Sequence, residues 1–110
     1  LLSVAVLGLA SSASRLAVDA ALAELRALAL QAAEDRLSRV RLDPRYGGLD
    51  TLYSGVDTDL FGIEGLTRRT EVEHVMRSAP NALDYKRITV TVTGPLLSPP
   101  VERALVIAAP

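Results

Sequence analysis

Cysteine and tryptophan are absent from this chain of 110 residues, and histidine and methionine occur once each. Without cysteine there is no disulfide framework, no thiolate nucleophile and no cysteine-based metal site. The lone His74 excludes a multi-histidine metal site within one chain, and a Ser/His/Asp arrangement would have to recruit it from the middle of a strand. Aromatics are scarce, at three Tyr and one Phe, which leaves little to interleave with cations and stack nucleic-acid bases. Excess charge of either sign is missing too. Twelve Lys and Arg against thirteen Asp and Glu leave a net charge of −1, so no bulk attraction to nucleic acid or anionic lipid is expected. No Gly-rich phosphate loop, nucleophile elbow or paired-carboxylate pattern occurs. The chain reads as one without enzyme activity, cofactor or metal.

What it has is hydrocarbon. Hydrophobic residues make up 49% of the chain, much of it Ala and Leu at the front. The opening run LLSVAVLGLA continues without Pro or turn signal into a charged amphipathic stretch, which predicts one long helix over residues 1 to 42. Asp43-Pro44 ends it, because a residue before Pro is pushed out of the helical region. At ~1.5 Å per residue such a helix runs roughly 60 Å, far beyond the ~13 Å radius of a domain this size. Part of it must protrude. Residues 43 to 110 are left to fold against its polar half as a small head of marginal stability.

Residues 1 to 14 form the apolar part of this helix. The first ten supply half of the ~20 apolar residues a membrane span needs. The chain does not open on Met, as expected of a fragment or processed product, and about ten more apolar residues upstream would complete a span. The rival is a signal-peptide core followed by the small residues Ala10 to Ser14 as a cleavage site. Against it, Leu16, Ala20, Leu22, Leu25, Ala29, Ala33, Leu37 and Val40 keep mostly helical spacing into the polar half. A cleaved signal has no reason to stay in phase with the mature chain.

Arg36, Arg39 and Arg41 gather in the last turn, with Arg45 just beyond. They could form a phosphate patch, but cations at a helix C-terminus are already favoured by the macrodipole. Residues 43 to 65 read as a long ordered connection, with five Gly and four Asp among apolar residues that stitch it down. Asp57, Asp59 and Gly62 match three positions of a calcium loop. Phe61 and Arg68 then stand where ligands belong, which disfavours calcium.

From residue 66 the period turns to alternation. Thr67 to Met76 puts Thr70, Val72, His74 and Met76 on one face, with Arg69, Glu71, Glu73 and Val75 on the other. Arg87 to Thr93 turns Ile88, Val90 and Val92 inward, and Arg103 to Ala108 adds Leu105 and Ile107. Short connections at Ser78 to Asp84 and Gly94 to Pro100 make an antiparallel meander. Its apolar face needs a cover, which the amphipathic helix supplies. The fold class expected is α+β: a long N-terminal helix packed on a small antiparallel sheet of three to four strands.

The run LLSVAVLGLA with its Ala-rich continuation, the RVRLDPRY exit and the DYKRITVTVT strand resemble the minor pilins and pseudopilins of type IV pili and type II secretion systems. In that family a leader is cut, the new N-terminus is methylated, and a Glu near it neutralises a neighbouring subunit's amine during assembly. This sequence begins after that motif, so neither the cleavage site nor the Glu carries over. The missing cysteines, and with them the C-terminal disulfide loop of many major pilins, favour a minor subunit. The resemblance implies a structural subunit, held in the inner membrane before assembly and then in a periplasmic or extracellular filament. Its partners would be other pilin or pseudopilin subunits. Leu1, Leu2, Val4, Val6, Leu7 and Leu9 would form the membrane and filament interface, with Gly8, Ser11, Ser12 and Ser14 allowing close approach or bending. Two alternatives stand beside it. One is a competence pseudopilin or adhesin whose Arg68 and Arg69 contact DNA or another ligand. The other is a membrane-tethered monomeric periplasmic protein.

Overall fold

The computed structural model describes residues 2–110, with side chains described from Ser14 onward. Helix α1 (Leu2–Leu42) stops directly before Asp43-Pro44. A 3-10 turn at Tyr46–Gly48 and the short helix α2 (Leu49–Tyr53) come next. The chain then forms β1 (Gly55–Asp57), a second 3-10 turn at Leu60–Gly62, β2 (Thr67–Arg77), β3 (Leu83–Gly94) and β4 (Leu97–Ala108). The four strands make one antiparallel sheet in the order β1-β2-β3-β4. The α+β architecture is therefore a long N-terminal helix packed on a four-stranded antiparallel sheet.

The register explains the core. Thr70 pairs with Val90, Val72 with Ile88 and His74 with Lys86 on one face. Val92 pairs with Val101 and Ile88 with Leu105 on the same side. Alternation along β3 thus delivers Ile88, Val90 and Val92, all fully buried, to the helix. The helix answers with Ala29, Ala32, Ala33, Leu37 and Val40, spaced mostly three and four apart. Three of those five are alanines. Short side chains at these positions suit a close approach of the helix to the β-branched ridge of β3. Leu49 of α2 and Leu66 before β2, both almost fully buried, close its sides.

Several boundaries differ from the sequence reading, each for a physical reason. Residues 43 to 65 are ordered as expected, but they also contain α2 and the edge strand β1, which sequence periodicity does not announce at three residues. The cover over the sheet is shared, because Leu49 is buried beside α1. The last strand starts at Leu97 rather than Arg103. Pro99 and Pro100, read as the close of a loop, lie inside it. They are tolerated because β4 is an edge strand and its register against β3 shifts between Val92 and Gly94, the bulge where a missing N–H costs no ladder bond. The connection before it shrinks to the turn at Pro95 and Leu96. There Gly65, at φ +80°, presses against Pro95: a Cβ on it would stand 3.2 Å from the Pro95 Cδ.

The molecule measures 78 × 29 × 20 Å. Sheet cover along α1 begins near Leu25, which is half-buried, and every residue from Ser14 to Glu24 is exposed. Leu16, Ala20 and Leu22, expected to continue the buried stripe, are therefore exposed and not covered by the sheet.

Candidate assembly surface

The feature set apart by this architecture is the uncovered stretch of α1. Val18, Leu22, Leu25, Ala29, Ala32, Arg36 and Val40 recur at steps of three and four residues, so they share one face of the helix. The lower part of that face is packed on the sheet. Its upper part is open, with Val18 58%, Leu22 39% and, at the side, Leu16 69% exposed. Val18 escaped the sequence reading, although its spacing of four from Leu22 and seven from Leu25 marks it as part of the stripe. The expected interface residues Leu1, Leu2, Val4, Val6, Leu7 and Leu9 lie outside the residues whose side chains are described. Among the described residues, no helix is long and apolar enough to cross a membrane.

Two polar networks stand out among the contacts that hold α1 and the segment after it on the sheet, beside the Arg26 hydrogen bond to the Pro99 carbonyl at 2.8 Å. In the first, Asp57 of β1 accepts from Arg36 of α1 at 2.6 Å and from Arg68 of β2 at 2.9 and 3.0 Å. Arg68 also donates to the Ala32 carbonyl at 3.1 Å. Burial alone would raise the Asp57 pKa, but the hydrogen bonds from Arg68 and Arg36 outweigh it and hold the carboxyl below its usual range. A guanidinium donating twice in this way gives direction as well as attraction. The anchor orients α1 across the sheet, and all three nitrogens of the Arg68 guanidinium donate within the head. Arg69, on the opposite face, is exposed and lies 3.6 Å from Glu71.

The second anchor ties the segment after α1 to the sheet. Lys86, only 3% exposed, donates to Asp50 at 2.5 Å and to the Tyr46 carbonyl at 2.7 Å. Its ammonium also sits 4.8 Å from the centre of the Tyr46 ring. The Tyr46 hydroxyl donates to Asp84 at 2.6 Å, and burial together with that carboxylate pushes its pKa up to about 12. His74 Nε2 lies 2.7 Å from the same Asp84 oxygen. An ionised carboxylate can only accept, so Nε2 carries the proton. His74 is thus the edge of a structural network, with Asp84 and the Tyr46 ring as its neighbours among the described residues.

The remaining candidates are also accounted for. Arg45 grips Asp43 through two side-chain hydrogen bonds of 2.8 and 2.9 Å, which hold that carboxyl well below its usual range. Of the four arginines clustered at the end of α1, Arg36 and Arg45 are therefore committed internally, and Arg39 and Arg41 remain on the surface. Asp57 faces guanidinium groups and Asp59 accepts from the Gly65 amide at 3.2 Å. Among the described residues, no three His, Cys, Asp or Glu side chains group to hold a metal ion. The chain matches no family model, no curated protein and no solved structure.

Proposed function

We propose that this chain is a structural subunit of a type IV pilus-like or type II secretion filament, a minor pilin or pseudopilin that assembles through α1. The observation that carries the reading is the stripe of α1 that stays in register past the edge of the head, open from Ser14 to Glu24. An apolar helical seam with four-three spacing finds its natural cover in other helices. Copies of the same seam provide that cover when subunits stack with their helices inward. Before assembly the apolar front of the helix rests in the inner membrane, and assembly exchanges lipid contacts for protein contacts at small net cost. The Arg36–Asp57–Arg68 anchor supports this role, because a subunit pulled by its helix needs the head fixed to it. The head then faces outward, and the role needs no catalysis.

Replacing Val18 and Leu22 together by Asp tests the reading. Both are exposed, so the melting temperature of the head stays within a few degrees of the parent's. Assembly, measured by sedimentation of the full chain, is lost. A double variant that still assembles like the parent contradicts the proposal.

A further inference from the structure

The loop at Leu60–Gly62 spends backbone freedom on an unusual display. Asp59 and Phe61 sit at φ 50° and 55°, a left-handed region that side chains other than glycine rarely occupy. Hydrogen bonds hold the loop there: the Gly62 amide donates to the Asp59 carbonyl at 3.0 Å, Ile63 to Leu60 at 2.9 Å and Leu60 to Leu66 at 3.0 Å. What this strained loop presents is the chain's single phenylalanine, 55% exposed. Two exposed carboxylates, Asp59 and Glu64, flank it.

A groove of the opposite character lies at the C-terminal end of α1. It is shallow and widely open to solvent, bounded by Arg39, Leu42, Asp43, Pro44, Arg45 and Tyr53. Leu42 is 83% exposed on its wall. Arg45 neutralises the Asp43 carboxylate, and the exposed Arg39 makes no ion pair among the described residues, so the groove is left cationic. Leu25 lines a small cleft with Ile63 and Glu64, which places the Phe61 loop near the middle of α1. From Leu25 to the groove at Arg39 and Leu42 is roughly 20 to 25 Å along the helix at ~1.5 Å per residue. The loop and the groove therefore occupy opposite ends of the head.

We propose that the Phe61 loop of one copy docks into the Arg39–Tyr53 groove of a second copy. The ring covers Leu42, Pro44 and Tyr53, and Asp59 and Glu64 meet the cationic rim. Because the two surfaces are different and lie at opposite ends, the contact is heterologous. It repeats head to tail, and in the filament setting it extends as an open helical chain rather than pairing two copies face to face. It rests on the filament reading for its setting and adds to it a contact between heads, separate from the packing of α1.

The absence of native cysteine makes the test clean. Phe61→Cys and Leu42→Cys are made singly and together in the full chain, and oxidised. A disulfide needs Cα atoms about 4.4 to 6.8 Å apart, so the two positions within one chain are too distant to join. Each single variant gives no covalent cross-link, an equal mixture of the two gives a cross-linked dimer, and the double variant gives a ladder of cross-linked multimers. In the mixture, Arg39→Glu on the Leu42→Cys chain cuts the cross-linking rate by about tenfold, and Glu64→Arg on the Phe61→Cys chain restores most of it. No cross-link in the mixture, or cross-links only between identical positions, overturns the proposal. Filaments that form without the cross-link remove this contact and leave the filament reading standing. Cross-linking in a chain that never forms filaments does the reverse.

Discussion

Lys86 shows how a charge can be placed in the core of so small a head. Its parity with Ile88, Val90 and Val92 turns it inward, and Asp50, the Tyr46 carbonyl and the Tyr46 ring receive it there. Removing one partner leaves a buried ammonium short of a charge-assisted bond. Asp50→Asn is expected to cost about 1.5 to 3 kcal/mol. Lys86→Met, which removes the charge and keeps the shape, is expected to cost less than Asp50→Asn. Urea denaturation of both variants checks the order. Acid should expose the same logic across four aspartates. Hydrogen bonds hold Asp43, Asp50 and Asp84 below the usual carboxylate range through Arg45, Lys86 and Tyr46 respectively, and Asp57 is held there against its burial by Arg68 and Arg36. The unfolded chain, whose carboxylates titrate near ~3.9, then takes up protons before the folded chain does. The stability these groups give is complete above that range and is lost as pH falls through their lowered values. The melting temperature should therefore fall as pH drops below about 4, and less steeply in Asp57→Asn than in the parent. A parent whose melting temperature rises in that range would contradict the assignment.

Among the elements, α1 and β3 were the most legible. Asp43-Pro44 marks the end of the helix at the residue where it stops, since a Pro forbids the next turn whatever the tertiary context. Ile88, Val90 and Val92 announce β3 because alternation is the only pattern that buries one of its faces. Lys86 hides the same strand's start: a charged residue in the inward phase reads as an outward one until Asp50 and Tyr46 are seen beside it. The edge elements were less legible. β1 is too short for any period, and Pro99 and Pro100 signal a loop unless the bulge that accommodates them is known. Close packing of α1 on β3 depends on its alanines. Ala33→Leu adds three carbon atoms at a fully buried position and is expected to cost about 1 to 3 kcal/mol through overpacking. Just before β2, Gly65→Ala adds a Cβ to a residue at φ +80°, 3.2 Å from Pro95 of the turn between β3 and β4. That variant should lose on the order of 1 kcal/mol or more. Thermal melts of the two variants measure these costs directly.

The whole molecule is a head riding on the lower part of a longer helix, and the helical period crosses the boundary without noticing it. Leu22 and Leu25 sit on the same face as Ala29 and Val40, yet only the latter pair is fully buried by the head. Sequence periodicity could reveal that face but not the place where its cover ends, because the cover comes from strands remote in the chain. The same limit applies to Arg68: its parity with Thr70 and Val72 turns it inward, but Asp57 and the Ala32 carbonyl, which claim it, come from β1 and α1 and no strand pattern names them. The Phe61 loop was out of reach for a different reason: its left-handed residues arise from hydrogen bonds to Leu66 and Gly65, not from local preference. Cryo-electron microscopy of sheared envelope material containing the full chain tests the central claim most directly. The account predicts a filament in which Val18 and Leu22 of neighbouring copies meet in a central bundle of parallel helices, with the sheets outside. Finding the chain only as single copies, with that stripe against lipid or water, would contradict it.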